Sequence, residues 1–288
     1  MNTTPYWTDS AALPKFKTLS RNLKVDVVVV GGGITGITAA YLLKSRGRTV
    51  ALIERGRCGG GDTGHTTAHL TYVTDTWLTD LVKAFGRDHA RAVWDAGRAA
   101  LAQIDGIIHS EHLACEFDWV TGYLHASLET HDANETLILK EEASLAAQLG
   151  FDATYLDSVP FINRPGIAFE GQAKFHPLRY LAGLLKVIPG DGSHVFEDTE
   201  VEEIQDSPLA VKAGGHTIDT DYIVIATHNP LVGTASLLSA SLLQTKLYLY
   251  TSYAIGGKVP SGLIPEASFW DTSDPYYYIT TLRQAGGA

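Results

Sequence analysis

The length, composition and charge of this 288-residue chain exclude several classes of protein. Hydrophobic residues make up 45% of it and charged residues 19%, a globular composition that supports a sizeable core in one large or two modest domains. The formal net charge of −10 argues against a surface that binds nucleic acid or an anionic membrane.

The cysteine content and the N-terminus indicate the cellular setting. Two cysteines provide neither a disulfide framework nor a four-cysteine zinc site, so we expect a reduced, cytoplasmic protein. The first residues lack a basic segment followed by an apolar one, and no uncharged run resembles a membrane span. No signal peptide is therefore expected. Residues 1–23 contain Pro5 and Pro14 and have no sustained periodicity, so we expect them to form an irregular arm.

A β-α-β unit is predicted directly after this arm. Residues 25–30 are a β-branched apolar run typical of a strand covered on both faces. Residues 34–46 have helical spacing, with Gly47 as a candidate C-terminal cap, and 49–53 read as a second strand.

The turn between the first strand and its helix contains the pattern G-x-G-x-x-G at Gly31, Gly33 and Gly36, and Glu54 ends the second strand. Gly31 permits a tight turn, Gly33 lets a diphosphate approach the backbone, and Gly36 lets the helix pack closely on the strand. Glu54 suits a ribose diol and disfavours a 2′-phosphate. This context favours adenine dinucleotide binding over a purely structural turn.

The stretch 58–71, C-G-G-G-D-T-G-H-T-T-A-H-L-T, is unusual in its small residues and its two histidines. An NAD-dependent dehydrogenase would usually return directly to helix and strand after the acidic residue. A backbone with so little side-chain bulk can instead lie against a large planar ring, so the stretch favours FAD over NAD.

The rest of the chain alternates helical and strand-like segments. Helices are predicted over 78–108, 134–149 and 179–188, and strands over 117–126, 194–204, 209–213, 217–226 and 246–255.

Five motifs carry a resemblance to a known family: V-D-V-V-V-V-G-G-G-I-T-G-I-T-A-A-Y-L-L, A-L-I-E-R, F-H-P-L-R-Y-L-A-G-L-L, T-E-V-E-E-I and Y-I-V-I-A-T-H. With the Gly/Thr stretch, they resemble the FAD-dependent amine oxidoreductases of the D-amino-acid oxidase superfamily, which includes glycine oxidase and sarcosine oxidase. The last motif departs from the family because His228 replaces its usual glycine. The run G-D-T-G-H-T-T-A-H-L-T is most similar to a bacterial subgroup in which the flavoprotein part precedes a Rieske iron–sulfur domain.

The resemblance implies an α/β fold with two interleaved domains. A Rossmann-like FAD-binding domain with a parallel sheet is expected over 24–85 and 172–235. An α+β substrate domain with an antiparallel sheet is expected over 86–171 and 236–288.

The resemblance also supplies most of the predicted cofactor contacts, alongside the glycines of the turn. The predicted set is Gly31, Gly33, Ile34, Thr35, Gly36, Glu54, Arg55, Asp62, Thr63, His65, Thr66, Thr67, Ala68, His69, Val201, Ala226 and Thr227.

The two histidines of the stretch have alternative roles. His65 falls near the histidine that bonds covalently to the flavin in related dehydrogenases, or it is a loop histidine that hydrogen-bonds backbone or phosphate. His69 is expected beside the flavin ring, where it would bond the flavin or steer a proton, or would only pack. No metal site is predicted, because the glycines between the two histidines disfavour a helix.

The implied reaction is hydride transfer from the carbon bearing an amine to flavin N5, followed by hydrolysis of the imine. An amino-acid carboxylate would be held by arginine with tyrosine support, and the candidates are Tyr248, Tyr250 and Arg283. With His69 they form the predicted catalytic set. The alternative is that the tyrosines are half-buried sheet residues and the arginine is solvated.

The sequence ends before the last strand and helix of the family pattern, and it lacks the Cys and His pairs that hold a Rieske cluster. We therefore expect a truncated chain whose partners are a small amine or amino acid and an iron–sulfur protein outside this chain. Two alternatives remain: an NAD-linked dehydrogenase and a non-catalytic nucleotide-binding fragment.

Overall fold

The computed structural model describes residues 4–129, 133–228 and 253–282. The helices are α1 Tyr6–Ser10, α2 Ile34–Ser45, α3 Leu78–Phe85, α4 Arg87–Ser110, α5 Ala133–Gln148 and α6 Pro177–Val187, with a 3₁₀ turn at Asp62–His65. The strands are β1 Leu23–Val30, β2 Val50–Ile53, β3 His69–Leu70, β4 Asp118–His125, β5 Ala153–Leu156, β6 Gly166–Lys174, β7 His194–Phe196, β8 Val201–Asp206, β9 Leu209–Ala213, β10 His216–Ile225, β11 Ala267–Asp271 and β12 Tyr278–Thr280.

The chain divides into two compact units. The first comprises the described parts of Met1–Thr66, Leu113–Cys115 and His176–Ile255, and the second the described parts of Thr67–His112, Glu116–Phe175 and Gly256–Ala288. The structure differs here from the predicted boundaries, because α3 belongs to the second unit and not to the nucleotide-binding one. The apolar side chains of α3 pack into the second unit's core beside those of α4 and α5.

The sheet of the first unit has the strand order β7-β2-β1-β10-β9-β8. Strand β1 pairs in parallel with β2 and β10, and β2 pairs in parallel with β7, while β9 and β8 add an antiparallel hairpin. The predicted β-α-β unit and the α/β class are confirmed. The strand predicted over 194–204 is wrong as a single element, because it is two strands at opposite edges of this sheet.

The parallel pairing brings three chain segments together at the carboxyl ends of the strands. The carboxyl ends of parallel strands lie together, and ligands of such sheets bind beyond them. Gly31 follows β1, Glu54 follows β2 and Ala226 follows β10. The amide of Gly31 donates to the carbonyl of Ile53, and that of Ala226 donates to Val30, so these ends are bonded to one another.

The described part of the N-terminal arm, from residue 4, is irregular apart from α1, which the sequence did not predict. The arm is held to the first unit by hydrogen bonds to side chains that follow β7. Phe16 donates its amide to Glu197 Oε2 at 2.9 Å, and Leu19 donates its amide to Thr199 Oγ1 at 3.1 Å. Trp7 of α1 is buried and donates Nε1 to the carbonyl of Thr66.

The second unit is built on a mixed sheet of order β12-β11-β4-β6-β3, with β5 also paired to β6. Among the described residues its pairings are antiparallel except that of β11 with β4, so the predicted antiparallel sheet includes one parallel pair. The predicted helix over 78–108 is two helices separated at Gly86, whose φ is 82°. The largest fully buried side chains of the second unit are Trp94, Phe169 and Phe269.

No helix within the described ranges is long and apolar enough to cross a membrane.

A buried histidine in the first unit has a fixed protonation state. His176 is 0% exposed and caps α6, because its Nδ1 accepts the amide N–H of Arg179 at 3.3 Å. The proton of the neutral ring is therefore on Nε2, which lies 3.0 Å from Ser10 Oγ and donates to it. In this tautomer the imidazole cannot take the proton of Ser10, so the pair is structural and does not form a nucleophile with its base. Burial, followed by the charge of Arg179, lowers the pKa of His176 to about 4.

This pKa predicts acid destabilisation of the first unit. The folded-state pKa of His176 lies below the ordinary value of 6.5, so the folded protein favours the neutral imidazole. The contribution of the neutral ring to the free energy of unfolding is complete above pH 6.5 and is lost as the pH falls toward 4. The loss is on the order of 2–3 kcal/mol in the free energy of unfolding. Urea titrations at pH 7 and pH 4.5 measure it.

The variant His176→Asn provides the control, because asparagine keeps an N-cap acceptor and cannot titrate. We expect it to lose part of the stability at pH 7 and to show a smaller difference between the two pH values than the wild type. An equal difference in both proteins would show that His176 does not contribute to the acid sensitivity.

Candidate dinucleotide site

The glycine turn after β1 leaves no room for a side chain at Gly31, Gly32 or Gly36. Gly31 has φ 113°, and a Cβ there would lie 2.6 Å from the carbonyl oxygen of Ala226. A Cβ on Gly36 would lie 1.9 Å from the carbonyl oxygen of Gly31. These contacts show that the turn, α2 and the end of β10 pack against one another. Packing therefore requires glycine at positions 31 and 36.

Gly33 differs from its neighbours because the space beside it is open. A Cβ there would meet only Thr63 Oγ1, at 3.7 Å. Gly33 is the N-cap of α2 and provides no side-chain cap, while Ile34 donates its amide to Thr63 Oγ1 at 3.2 Å. The first turn of a helix presents unbonded N–H groups and a partial positive charge, so this open end is suited to a diphosphate.

Glu54 is fixed beside this turn by two backbone hydrogen bonds. Its Oε2 accepts the amide of Gly32 at 2.7 Å, and its Oε1 accepts the amide of Gly56 at 2.8 Å. A carboxylate oxygen has more than one acceptor site, so both oxygens retain capacity for a ribose hydroxyl. The position and charge of Glu54 fit the ribose of an adenine dinucleotide.

The segment after Glu54 is organised by Glu197, which the sequence did not single out. Glu197 is 0% exposed, accepts the amide of Cys58 at 2.8 Å and pairs with the guanidinium of Arg57. Cys58 is fully buried, and burial, followed by the charges of Glu197 and Glu54, raises the pKa of its thiol. The thiol therefore stays protonated at neutral pH.

The 3₁₀ turn Asp62–His65 is linked to the end of β10. Asp62 Oδ2 lies 3.0 Å from Nδ1 of His228, the residue that stands where the family has glycine. No partner for His228 was predicted from the sequence. His65 is exposed, and its Nδ1 lies 3.0 Å from the carbonyl oxygen of Gly61. This hydrogen bond is the second of the two roles considered for His65.

The predicted cofactor residues are divided between the two units. Those in the first unit are Gly31, Gly33, Ile34, Thr35, Gly36, Glu54, Arg55, Asp62, Thr63, His65, Thr66, Val201, Ala226 and Thr227. Those in the second unit are Thr67, Ala68 and His69.

In the second unit, the backbone at this point has an uncommon conformation. Ala68 is buried and has φ 59°, a region that residues other than glycine seldom adopt. Thr67 before it is exposed. His69 packs edge-on against Tyr278 with ring centroids 4.7 Å apart, and burial lowers the pKa of its imidazole to about 4. The other predicted catalytic residues, Tyr248, Tyr250 and Arg283, lie outside the described residues.

The residues of the first unit fit an adenine dinucleotide. Beyond the parallel strands lie an open helix N-terminus at Gly33, a carboxylate at Glu54 and three glycine positions closed to side chains. This combination is typical of the Rossmann-like site.

Comparison with known proteins agrees with this geometry. The family model of FAD dependent oxidoreductases, DAO, matches residues 26–287. YhfW of Bacillus subtilis, which carries the name of a Rieske 2Fe-2S iron-sulfur protein, is 32% identical over 276 residues, 94% of this chain and 52% of that protein. Gamma-glutamylputrescine oxidoreductase of Escherichia coli is 25% identical over 235 residues, 78% of this chain and 54% of that protein. The chain thus spans about half the length of these two relatives.

Solved structures share the fold at lower sequence identity. L-proline dehydrogenase from P. horikoshii is 18% identical, with a TM-score of 0.62, and the match covers 91% of this chain and 68% of that one. Glycine oxidase from Geobacillus kaustophilus is 20% identical, with a TM-score of 0.52, and the match covers 71% and 55% of the two chains. The family match takes in most of the sequence, and the turn at Gly31–Gly36 has the geometry of a nucleotide site. The chain therefore belongs to the DAO family of FAD-dependent oxidoreductases.

Proposed function

We propose that this chain is the flavin-binding part of an oxidoreductase that oxidises the C–N bond of an amine or amino acid. The observation that carries the proposal is the open N-terminus of α2 at Gly33, next to the fixed carboxylate of Glu54. Two similar proteins support the substrate class: the E. coli relative is named for a putrescine derivative, and the P. horikoshii neighbour is named for L-proline.

The chain's own groups divide the binding of FAD between them. The amide of Thr35, at the start of α2, would bind the diphosphate, and Ile34, whose amide donates to Thr63 Oγ1, remains a proposed contact beside it. Glu54 would accept hydrogen bonds from the adenosine ribose. The two threonines and the alanine that precede His69 remain proposed contacts of the ring. When bound, the flavin supplies the acceptor for a hydride from the carbon that bears the amine nitrogen, and the imine product is hydrolysed by water.

His69 is proposed to contact the amine. Its pKa of about 4 keeps the imidazole neutral at pH 7, so the ring can accept a hydrogen bond from an amine N–H. A neutral imidazole also adds no positive charge beside the bound amine. Tyr248, Tyr250 and Arg283 stay predictions.

The acceptor of the electrons is proposed to be an iron–sulfur protein or domain outside these 288 residues. The name of YhfW, which is similar to this chain over about half its own length, supports this partner. The cytoplasmic location indicated by the composition stays a prediction.

Absorbance spectroscopy of the purified chain tests the cofactor. We expect a yellow protein with a flavin spectrum, and we expect acid precipitation to release the colour. Colour that stays in the pellet of the wild type and is lost from that of His65→Ala would establish covalent attachment at His65. A colourless protein that binds NAD would contradict the proposed function.

The variant Gly33→Val tests the diphosphate position. The nearest atom to a Cβ there is 3.7 Å away, and the φ of −84° suits any residue, so the free energy of unfolding should change by less than about 1 kcal/mol. The new side chain would occupy the space of the diphosphate, so the flavin content should fall by at least about tenfold, since a lost contact of 1.4 kcal/mol already gives that factor.

The matched control is Gly106→Val, a second open glycine, on the exposed face of α4. It should keep the wild-type flavin content, measured as the ratio of visible to ultraviolet absorbance. Equal flavin content in Gly33→Val and the wild type would show that the cofactor does not approach Gly33.

A further inference from the structure

The second unit contains a small cavity, of about 100 Å³, that the proposed function has not used. We call it the aromatic cavity, because four of the described residues that line it are Trp77, Trp270, Tyr276 and Tyr278. The rings of Tyr276 and Tyr278 are perpendicular, with centroids 4.8 Å apart. Aromatic faces carry partial negative charge and attract cations.

Three carboxylates complete the electrostatics of the aromatic cavity: Asp75, Glu142 and Asp271. Glu142 is buried and accepts the amides of Leu78 and Thr79, which cap α3. Burial raises the pKa of Glu142, and the hydrogen bonds from Leu78 and Thr79 oppose this shift because they favour the charged carboxylate.

Asp271 is likewise buried and held by neutral donors. Its Oδ1 accepts the amide of Tyr277 at 2.8 Å, and its Oδ2 accepts the hydroxyl of Ser273 at 2.6 Å. Within the described part of the chain, no lysine or arginine pairs with these three acids or lines the aromatic cavity. The cavity therefore has negative carboxylates and no compensating cation among its described residues.

One polar atom of the lining lacks a partner. His69 lines the aromatic cavity, and its Nε2 is buried without a hydrogen-bond partner among the described residues. An unsatisfied buried nitrogen is costly and is uncommon in folded proteins. A ligand with an N–H group would satisfy it. The ring itself is neutral at pH 7, so it does not offset the carboxylates.

We propose that the aromatic cavity binds the ammonium group of an alkylamine. Carboxylates attract this charge, aromatic faces add cation–π contacts, and the free nitrogen of His69 accepts one N–H. The same charges repel a carboxylate, so the cavity selects amines over the carboxylate end of an amino acid. This inference deepens the proposed function and depends on it only in treating the bound amine as the substrate.

Ligand-detected NMR titration of the full 288-residue chain tests the proposal with three probes of equal chain length. Butylamine is cationic at pH 7, 1-butanol is neutral and butyrate is anionic. We expect saturable binding of butylamine, at least about tenfold tighter than that of butyrate, because two or more charge contacts favour the cation. Binding of butyrate as tight as that of butylamine would overturn the proposal.

Two pairs of variants locate the binding. Tyr276→Leu removes an aromatic face from the aromatic cavity, and Tyr277→Leu changes the adjacent tyrosine, which bonds Glu129 and does not line it. Both tyrosines are partly exposed, at 44% and 51%, so both variants should fold. Asp75→Asn removes an exposed charge of the lining, and Asp80→Asn removes an exposed charge on α3 that pairs with Lys83.

Tyr276→Leu and Asp75→Asn should each weaken butylamine binding by about threefold to tenfold, the range of one cation–π or one partly screened charge contact. Their controls should leave it unchanged. Equal affinity in all four variants would place the bound amine elsewhere and overturn the proposal.

The titration does not depend on the flavin, so the two proposals can fail separately. Flavin-loaded protein without a preference for butylamine would overturn the cavity proposal and leave the proposed function standing. A preference for butylamine in protein that takes up no flavin would support the cavity proposal and contradict the proposed function.

Discussion

The segments around the candidate dinucleotide site depend on the buried carboxylate of Glu197. A carboxylate that is fully buried is stable only when hydrogen bonds and a counter-charge compensate the loss of water. Here the compensation comes from the amides of Phe16 and Cys58 and from the guanidinium of Arg57. One side chain thus fixes both the N-terminal arm and the segment that follows β2. Because that segment leads into the Gly/Thr stretch, its start is determined by packing before any ligand is present.

A second carboxylate, that of Glu54, lies at the carboxyl end of the same sheet but is less buried than that of Glu197. It is bound by two backbone amides and remains partly exposed, so it keeps acceptor capacity for a ligand. The two acids therefore differ in role. Glu197 is buried and its carboxylate is fully bonded within the protein, so it is structural. Glu54 is oriented by its hydrogen bonds but stays accessible, so it can contact a ligand. The open space at Gly33 lies next to the turn residue whose amide binds the accessible Glu54 carboxylate.

The sequence predicted what is local and failed where pairing is long-range. The β-α-β unit and the turn at Gly31–Gly36 are short-range patterns, and both are present. Strand β6 was missed because Glu170 and Gly171 interrupt its apolar alternation, although it is the strand to which β3, β4 and β5 pair. The carboxylate of Glu197 and the partner of His228 depend on segments far apart in the chain, so no periodicity could indicate them. The acids of the aromatic cavity are likewise assembled from separate elements.

The order in which the chain visits its two units has a consequence for biosynthesis. Strand β1 lies at the centre of its sheet, yet its neighbour β10 is formed by residues translated long after it, with most of the second unit in between. During translation, the side of β1 that pairs with β10 in the folded protein has no partner strand until β10 has been synthesised. Non-local pairing of this kind is slow. Neither unit is a continuous stretch, so neither can be isolated by trimming one end. We expect the nascent chain to need protection of the unpaired β1 edge from aggregation until β10, which ends at Ile225, has emerged from the ribosome.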